Sequence, residues 1–250
     1  MDTNPDPAPD APTGDAPRPY PVLLLLDGAP CLVVGAGPVA ARKARGLLEA
    51  GAAVTVVAPT VGREVRALAG DGAPACGSLR IESRAYAPPE AERYLLVVSA
   101  TGDPEVDARV TADASTAGAL VNRADTAAPG GGRDTHGAGT VLLPAVHRTG
   151  PVTVAVSTDG SSPALARWLR DRIGAALDSA HVATLAEVVG EARDARATAP
   201  GRGGSVDWAA ALDDVAPLVA AGRAHEAREV LARHAGATTA ATPRPGGHHR

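Results

Sequence analysis

An apolar run from Cys31 to Val34 meets Gly35, Ala36 and Gly37, and a helix-favouring stretch follows from Pro38 to Ala50. This junction constrains the chain more than any other feature. The run reads as a buried strand. Gly35 permits a tight turn, Gly37 lets a pyrophosphate approach the backbone, and Ala40 lets the helix lie close on the sheet. Gly51 stops the helix, and Ala53 to Pro59 reads as a second strand. A G-x-G-x-x-A pattern in this strand–turn–helix setting marks a dinucleotide site. The plainer alternative is a structural turn.

The remaining segments continue the alternation. Residues 61–70 predict a short helix with Val61, Val65 and Leu68 on one face. Leu79 to Tyr86 predicts an exposed strand, Tyr94 to Thr101 a central one, and Leu120 to Ala124 a fifth. Asp103 caps a helix running to about Ala117. Strands alternating with helices imply a doubly wound, Rossmann-type α/β fold with a parallel sheet. Thr140–Val146 and Val152–Thr158 read as a hairpin turning through His147 to Pro151. A helix from Ser161, its expected N-cap, runs to about Leu177, with Pro163 in its first turn. Residues 180–197 and 206–235 read as Ala-rich helices. The expected organisation is a disordered tail over 1–19, a nucleotide-binding domain over 20–139, and a dimerisation and substrate segment over 140–178. A helical region over 179–235 and a disordered tail over 236–250 complete it.

Composition removes several function classes. The chain has 250 residues and a single lysine, Lys43. Lys43 is not in a Gly-Lys-Ser/Thr context, so a P-loop is excluded, and no Tyr-x-x-x-Lys pair exists. The net charge of −4 lies mostly in the first 19 residues, where four Asp face one Arg. That leaves no electrostatic footprint for nucleic acid. Two cysteines make no disulfide framework, and a cytoplasmic setting is the simplest expectation. Val22–Leu26 is too short to span a bilayer, so no membrane partner is expected, and no signal peptide is apparent. The seven His show no metal-ligand spacing, and no permanent metal is expected.

The candidate site residues cluster at strand ends, where ligands bind in open α/β sheets. The second strand ends Val57-Ala58-Pro59-Thr60, without the acid that ordinarily holds the adenosine ribose. Backbone groups or Thr60 would have to serve, and NAD and NADP stay undistinguished. Arg42, Lys43 and Arg45 follow the glycines, where cations oppose the helix dipole unless an anion is bound; a solvated helix face is the alternative. Thr101 ends the fourth strand. Asn122, Arg123 and Asp125 end the fifth, where a partly desolvated carboxylate can act as a general base. Ser157, Thr158, Ser161 and Ser162 surround Asp159-Gly160, a turn suited either to anion binding or to simple capping.

Taken in order, these motifs resemble the dehydrogenase/ferrochelatase module of siroheme synthase, the precorrin-2 dehydrogenase family. The resembling blocks are Tyr20 to Val22, Val33 to Leu48, Glu49 to Pro59, Ala100 with Thr101, Asn122 with Asp125, Pro144, and Gly150 to Arg167. The last block, with its Ser-Ser-Pro-Ala sequence, is the specific one. Coverage is about residues 20–178. The resemblance implies NAD-dependent oxidation of precorrin-2 to sirohydrochlorin, and in some members insertion of Fe²⁺ to give siroheme. It implies that Asp125 is the catalytic carboxylate and general base. It carries NAD contacts onto Gly35, Ala36, Gly37, Pro38, Val39, Pro59, Thr60, Ala100 and Thr101. Tetrapyrrole contacts fall on Asn122, Arg123, Ser157, Thr158, Ser161 and Ser162, with Arg148 and Arg167 as further carboxylate partners. It also implies a homodimer and accounts for the missing ribose acid. Three departures stand out: a long Gly-rich link over 126–139 with His136, Asp159 where Gly is usual, and no methyltransferase domain in the ~70 residues after 178. The rival expectation is a non-catalytic, dinucleotide-sensing regulatory module.

Overall fold

Strands β1 (Pro30–Val34), β2 (Ala53–Val57) and β4 (Leu96–Ser99) are built from Val, Leu and Cys with almost no polar interruption. Such runs suit strands covered on both faces. In the computed structural model, which describes residues 19–70, 76–124, 140–198 and 206–236, they form the middle of a parallel sheet. Strand β3 (Ser78–Glu82) and strand β5 (Leu120–Arg123) take its edges, and the order is β3-β2-β1-β4-β5. The doubly wound expectation holds.

Side chains alternate between two apolar layers. Cys31 and Val33 of β1, Val54 and Val56 of β2, and Leu96 and Val98 of β4 pack with helix α1 (Pro38–Glu49) and helix α2 (Arg63–Ala67). Leu32, Val34, Val57, Val97 and Val121 face the other way, toward helix α3 (Pro104–Thr116) and a 3₁₀ turn over Glu90–Arg93. Each fully buried Val or Leu contributes about 1.5–3 kcal/mol. Val61, Val65 and Leu68 are all buried, as expected, although α2 itself is only five residues long.

The β5 edge is closed by its own chain. The amides of Thr140 and Val141 donate to the Val121 carbonyl at 2.8 and 3.1 Å. The Val121 amide donates to Thr140 Oγ1 at 2.9 Å.

The described residues up to Leu143, with Asp159–Ser161, form one compact unit; the second holds Pro144–Thr158 and the described residues from Ser162. In the second unit, β6 (Ala145–Thr149) pairs antiparallel with β7 (Val152–Val156), and helix α4 (Pro163–Ser179) packs on both strands. The hairpin is tighter than expected. His147, Arg148 and Thr149 are paired strand residues, and the turn is Gly150-Pro151 alone, with Gly150 at φ +54°. Residues 140–144 belong to no β6 strand. The N-cap of α4 is Ser162, whose hydroxyl accepts from the Leu165 amide at 3.2 Å, and Ser161 does not cap.

Helix α5 (Val182–Thr198) is followed by two helices where one was expected: α6 (Trp208–Ala220) and α7 (Ala224–His234). Gly222, at φ +75°, breaks the stretch between them. Val188, Ala211, Val215, Val219, Ala227 and Leu231 form their separate core.

Candidate functional site

The strand order reverses between β1 and β4, so the chain leaves these two neighbours in opposite directions along the sheet. A crevice opens at such a point, outside the carboxyl ends of the strands. Gly35, Ala36 and Gly37 leave β1 there, and Ala100 and Thr101 leave β4. The two turns touch. Gly35 has φ +109°, and a Cβ on it would lie 2.2 Å from the Ala100 carbonyl oxygen. Only glycine fits that position.

Gly37 is different. Its φ is −81°, and nothing lies within 4 Å of where its Cβ would be. It is the N-cap of α1, yet no side chain caps this helix, whereas Asp103, Ser162 and Asp207 cap α3, α4 and α6 with their own oxygens. The first amides of α1 therefore face open space beside exposed Pro38 and Val39. That is the arrangement that accepts an anionic group: N–H donors, a positive dipole end, and no Cβ in the way. A dinucleotide pyrophosphate fits this donor set. Ala40, fully buried, lies against the sheet as expected.

Of the three cations after the turn, Arg42 and Arg45 are exposed and Lys43 is half-buried. Burial, and then the neighbouring Arg42 charge, push the Lys43 ammonium below its ordinary value.

The β4 turn is held from beneath by Asp107, which is completely buried. One of its oxygens, Oδ1, accepts from the Ser99 hydroxyl at 2.5 Å, the Thr101 hydroxyl at 2.8 Å and the Thr101 amide at 3.2 Å. Thr101 is thus oriented by two of its own donors. Asp107 was missed in the sequence, although a signal existed. It shares the i, i+3, i+4, i+7 face of α3 with Val110, Thr111 and Ala114, all buried, and a lone acid on an apolar stripe needs partners.

The loop after β2 joins the same edge. Pro59 and Thr60 are exposed. Beyond them the Gly62 amide donates to the Ala36 carbonyl at 3.2 Å, which ties the start of α2 to the glycine turn. No sequence signal marked Gly62.

At β5 the expected residues are partly engaged. Asn122 is buried, and its side-chain N–H donates to the Val141 carbonyl at 2.9 Å. Its Oδ1 has no hydrogen-bond partner. Arg123 is half-buried and lies in register with Ser99, so this strand ends at the same edge as β4. Asp125 lies outside the described residues, as does the 126–139 link with His136.

The hydroxyl-rich turn that follows β7 is largely self-satisfied. Thr158 Oγ1 donates to the Ser162 carbonyl at 3.0 Å and accepts from the Ser162 amide at 3.1 Å. Ser162 spends its own hydroxyl on the α4 cap. Ser157 and Ser161 are exposed. Asp159 has φ +50°, a left-handed conformation that Asp tolerates better than most residues. Among the described residues no group of His, Cys, Asp and Glu could hold a metal, and no helix is long and apolar enough to cross a membrane.

Comparison with known proteins bears on the same segments. Residues 22–131 match a family model described as putative NAD(P)-binding, and residues 149–176 match one described as sirohaem biosynthesis protein central. The siroheme synthase of Methylococcus capsulatus is 36% identical over 214 residues, covering 84% of this chain and 42% of the relative. That of Chromobacterium violaceum is 41% identical over 154 residues, covering 62% and 30%. The chain thus spans less than half the length of these relatives. A solved structure titled SirC, precorrin-2 dehydrogenase, superposes with a TM-score of 0.63 at 24% identity, covering 86% of this chain and 99% of that one. At that identity the likeness concerns the fold.

Proposed function

We propose, on the premise that residues 22–131 and 149–176 make up the two-part module this chain shares with siroheme synthases, that it is an NAD-dependent precorrin-2 dehydrogenase. The observation that carries the reading is the uncapped start of α1 beside Gly37, lying in the crevice between β1 and β4. In this reading the amides after Gly37 hold the pyrophosphate, and the Ala100–Thr101 turn, fixed by Asp107, borders the nicotinamide. Bound NAD supplies a hydride acceptor. The substrate loses one hydride and one proton on becoming sirohydrochlorin, and Asp125 takes the proton as general base. Asn122, Arg123, Ser157, Thr158, Ser161 and Ser162 are the proposed substrate contacts. The many carboxylates of a tetrapyrrole suit Arg123, with Arg148 and Arg167 as further partners.

The same proposal includes a homodimer working in the cytoplasm. It also includes insertion of Fe²⁺ into sirohydrochlorin as a second activity, with iron as substrate and Asp125 taking the pyrrole protons. The likeness to siroheme synthases and the two family matches support the pathway; the activity itself is tested by mixing purified protein, NAD and precorrin-2 anaerobically. Sirohydrochlorin and NADH should appear together by absorbance. Tight dinucleotide binding with no turnover would instead favour a sensing module. Metallation with added Fe²⁺, compared with the protein-free rate, tests the second activity.

A further inference from the structure

The missing acid at the end of β2 leaves the adenosine ribose without its usual partner, yet a carboxylate stands close by. Glu64 lies in the first turn of α2. Gly62, two residues earlier, donates its amide to the Ala36 carbonyl, and a Cβ on Gly62 would lie 2.5 Å from that oxygen. The same point is 3.5 Å from Glu64 Oε2. Glu64 Oε2 therefore lies no more than about 6 Å from the Ala36 carbonyl oxygen of the glycine turn.

The two oxygens of Glu64 are used differently. Oε1 accepts from Arg63 Nε at 2.8 Å, while Oε2 is the one beside Gly62. The Arg63 contact holds the carboxyl below its usual range, so it is an acceptor at neutral pH. Arg63 itself is 92% exposed and directed to solvent. The placement of α2 is not loose. Val65 is fully buried in the layer that holds α1, and Arg66 Nε donates to the Val61 carbonyl at 3.2 Å.

We propose that Glu64 accepts hydrogen bonds from the adenosine ribose hydroxyls of the dinucleotide and excludes a 2′-phosphate. The acid that other folds of this kind carry at the end of the second strand is here delivered one turn later, from the start of the next helix. Gly62 makes this possible, because any side chain there would push α2 off the turn. An ionised carboxylate pairs with hydroxyl donors and repels a phosphate dianion at the same position. Glu64 is thus the residue that separates NAD from NADP.

This rests on the dinucleotide reading given above, and the test separates the two. Binding of NAD and of NADP is measured by calorimetry for the wild-type chain, Glu64→Gln and Arg63→Ala, with thermal melts to verify the fold. The wild type should prefer NAD. Glu64→Gln should lose about tenfold in NAD affinity, the size of one charge-assisted hydrogen bond, and the preference for NAD should narrow. Arg63→Ala, which strips the carboxylate of its counter-charge, should widen it. An unchanged preference in Glu64→Gln overturns the role of Glu64 while leaving the dinucleotide site intact. A loss of NADP affinity in Arg63→Ala with no change in Glu64→Gln overturns it in favour of Arg63. A wild-type chain that binds neither dinucleotide overturns both readings.

Discussion

The carbonyl oxygen of Ala100 occupies the space where a side chain on Gly35 would begin, 2.2 Å from the position of its Cβ. Two turns from strands that are neighbours in space but far apart in sequence are thereby pressed together. Gly35→Ala should destabilise the protein by about 3 kcal/mol or more, since it combines a clash with a left-handed backbone. Gly37→Ala meets open space at an ordinary φ, so its melting temperature should barely move while NAD affinity falls. Thermal melts and calorimetry on the pair check this; equal behaviour of the two variants would contradict the division of labour.

Asp107 should prove expensive to remove. Asp107→Ala leaves the hydroxyl of Ser99 and both donors of Thr101 without their common acceptor, a loss of about 3 kcal/mol. Thr101→Val removes one of the three donors and should cost about 1 kcal/mol. It should raise the KM for NAD more than it lowers kcat, if the turn positions the cofactor.

His147 and Gly174 should be coupled in sign. A Cβ on Gly174 would lie 2.6 Å from His147 Nδ1, although Gly174 sits mid-helix, where Ala is intrinsically favoured by about 1 kcal/mol. Gly174→Ala alone should therefore destabilise by about 1–3 kcal/mol through overpacking. With His147→Ala also present, the same change should become neutral or stabilising. A double-mutant cycle in urea reads the coupling directly.

Acid should weaken the link before β4 through Glu90. Burial opposes its charge, but the Arg84 guanidinium at 2.6 and 3.0 Å and the Ala87 amide outweigh that, and the carboxyl is held below its usual value. A depressed carboxyl stabilises the fold above its unfolded pKa, about 4.3, and that stability is lost as pH falls through the lower folded value. Glu90→Gln should flatten the acid limb of a stability–pH curve measured by denaturant titration. Arg84→Ala, which leaves the buried charge unpaired, should cost about 3 kcal/mol at neutral pH.

Asp125→Asn should lose turnover of precorrin-2 while NAD binding persists. Wild-type rates in that variant would remove Asp125 from the proposed chemistry.

Much of the nucleotide-binding half could be read directly. Strands β1, β2 and β4 are nearly uninterrupted apolar runs ended by turn residues, and helices α1 and α3 begin with Pro after Gly or Asp. Local signals suffice where local chemistry decides. They failed where a distant partner decides. His147 to Thr149 look like turn residues by composition, but pairing with Val152 to Val154 makes them strand. Gly62 and Glu64 carry no motif, and their placement follows from a hydrogen bond to Ala36, 26 positions earlier in the chain. The turn over Thr158 to Ser162 reads equally as an anion site or as simple capping, because the same hydroxyls that could meet a ligand also bond within the turn.

The fastening of both flanks of the 125–139 link has an engineering consequence. Just before it, the Ala124 amide donates to the Ser99 carbonyl at 2.8 Å; just after it, Thr140 and Val141 grip Val121. The two residues that flank it, Ala124 and Thr140, are therefore held in place by β4 and β5. Doubling the length of a chain held between fixed ends costs only about 0.6 kcal/mol of closure entropy. The 126–139 stretch can thus be lengthened without re-engineering the sheet that holds its two flanks.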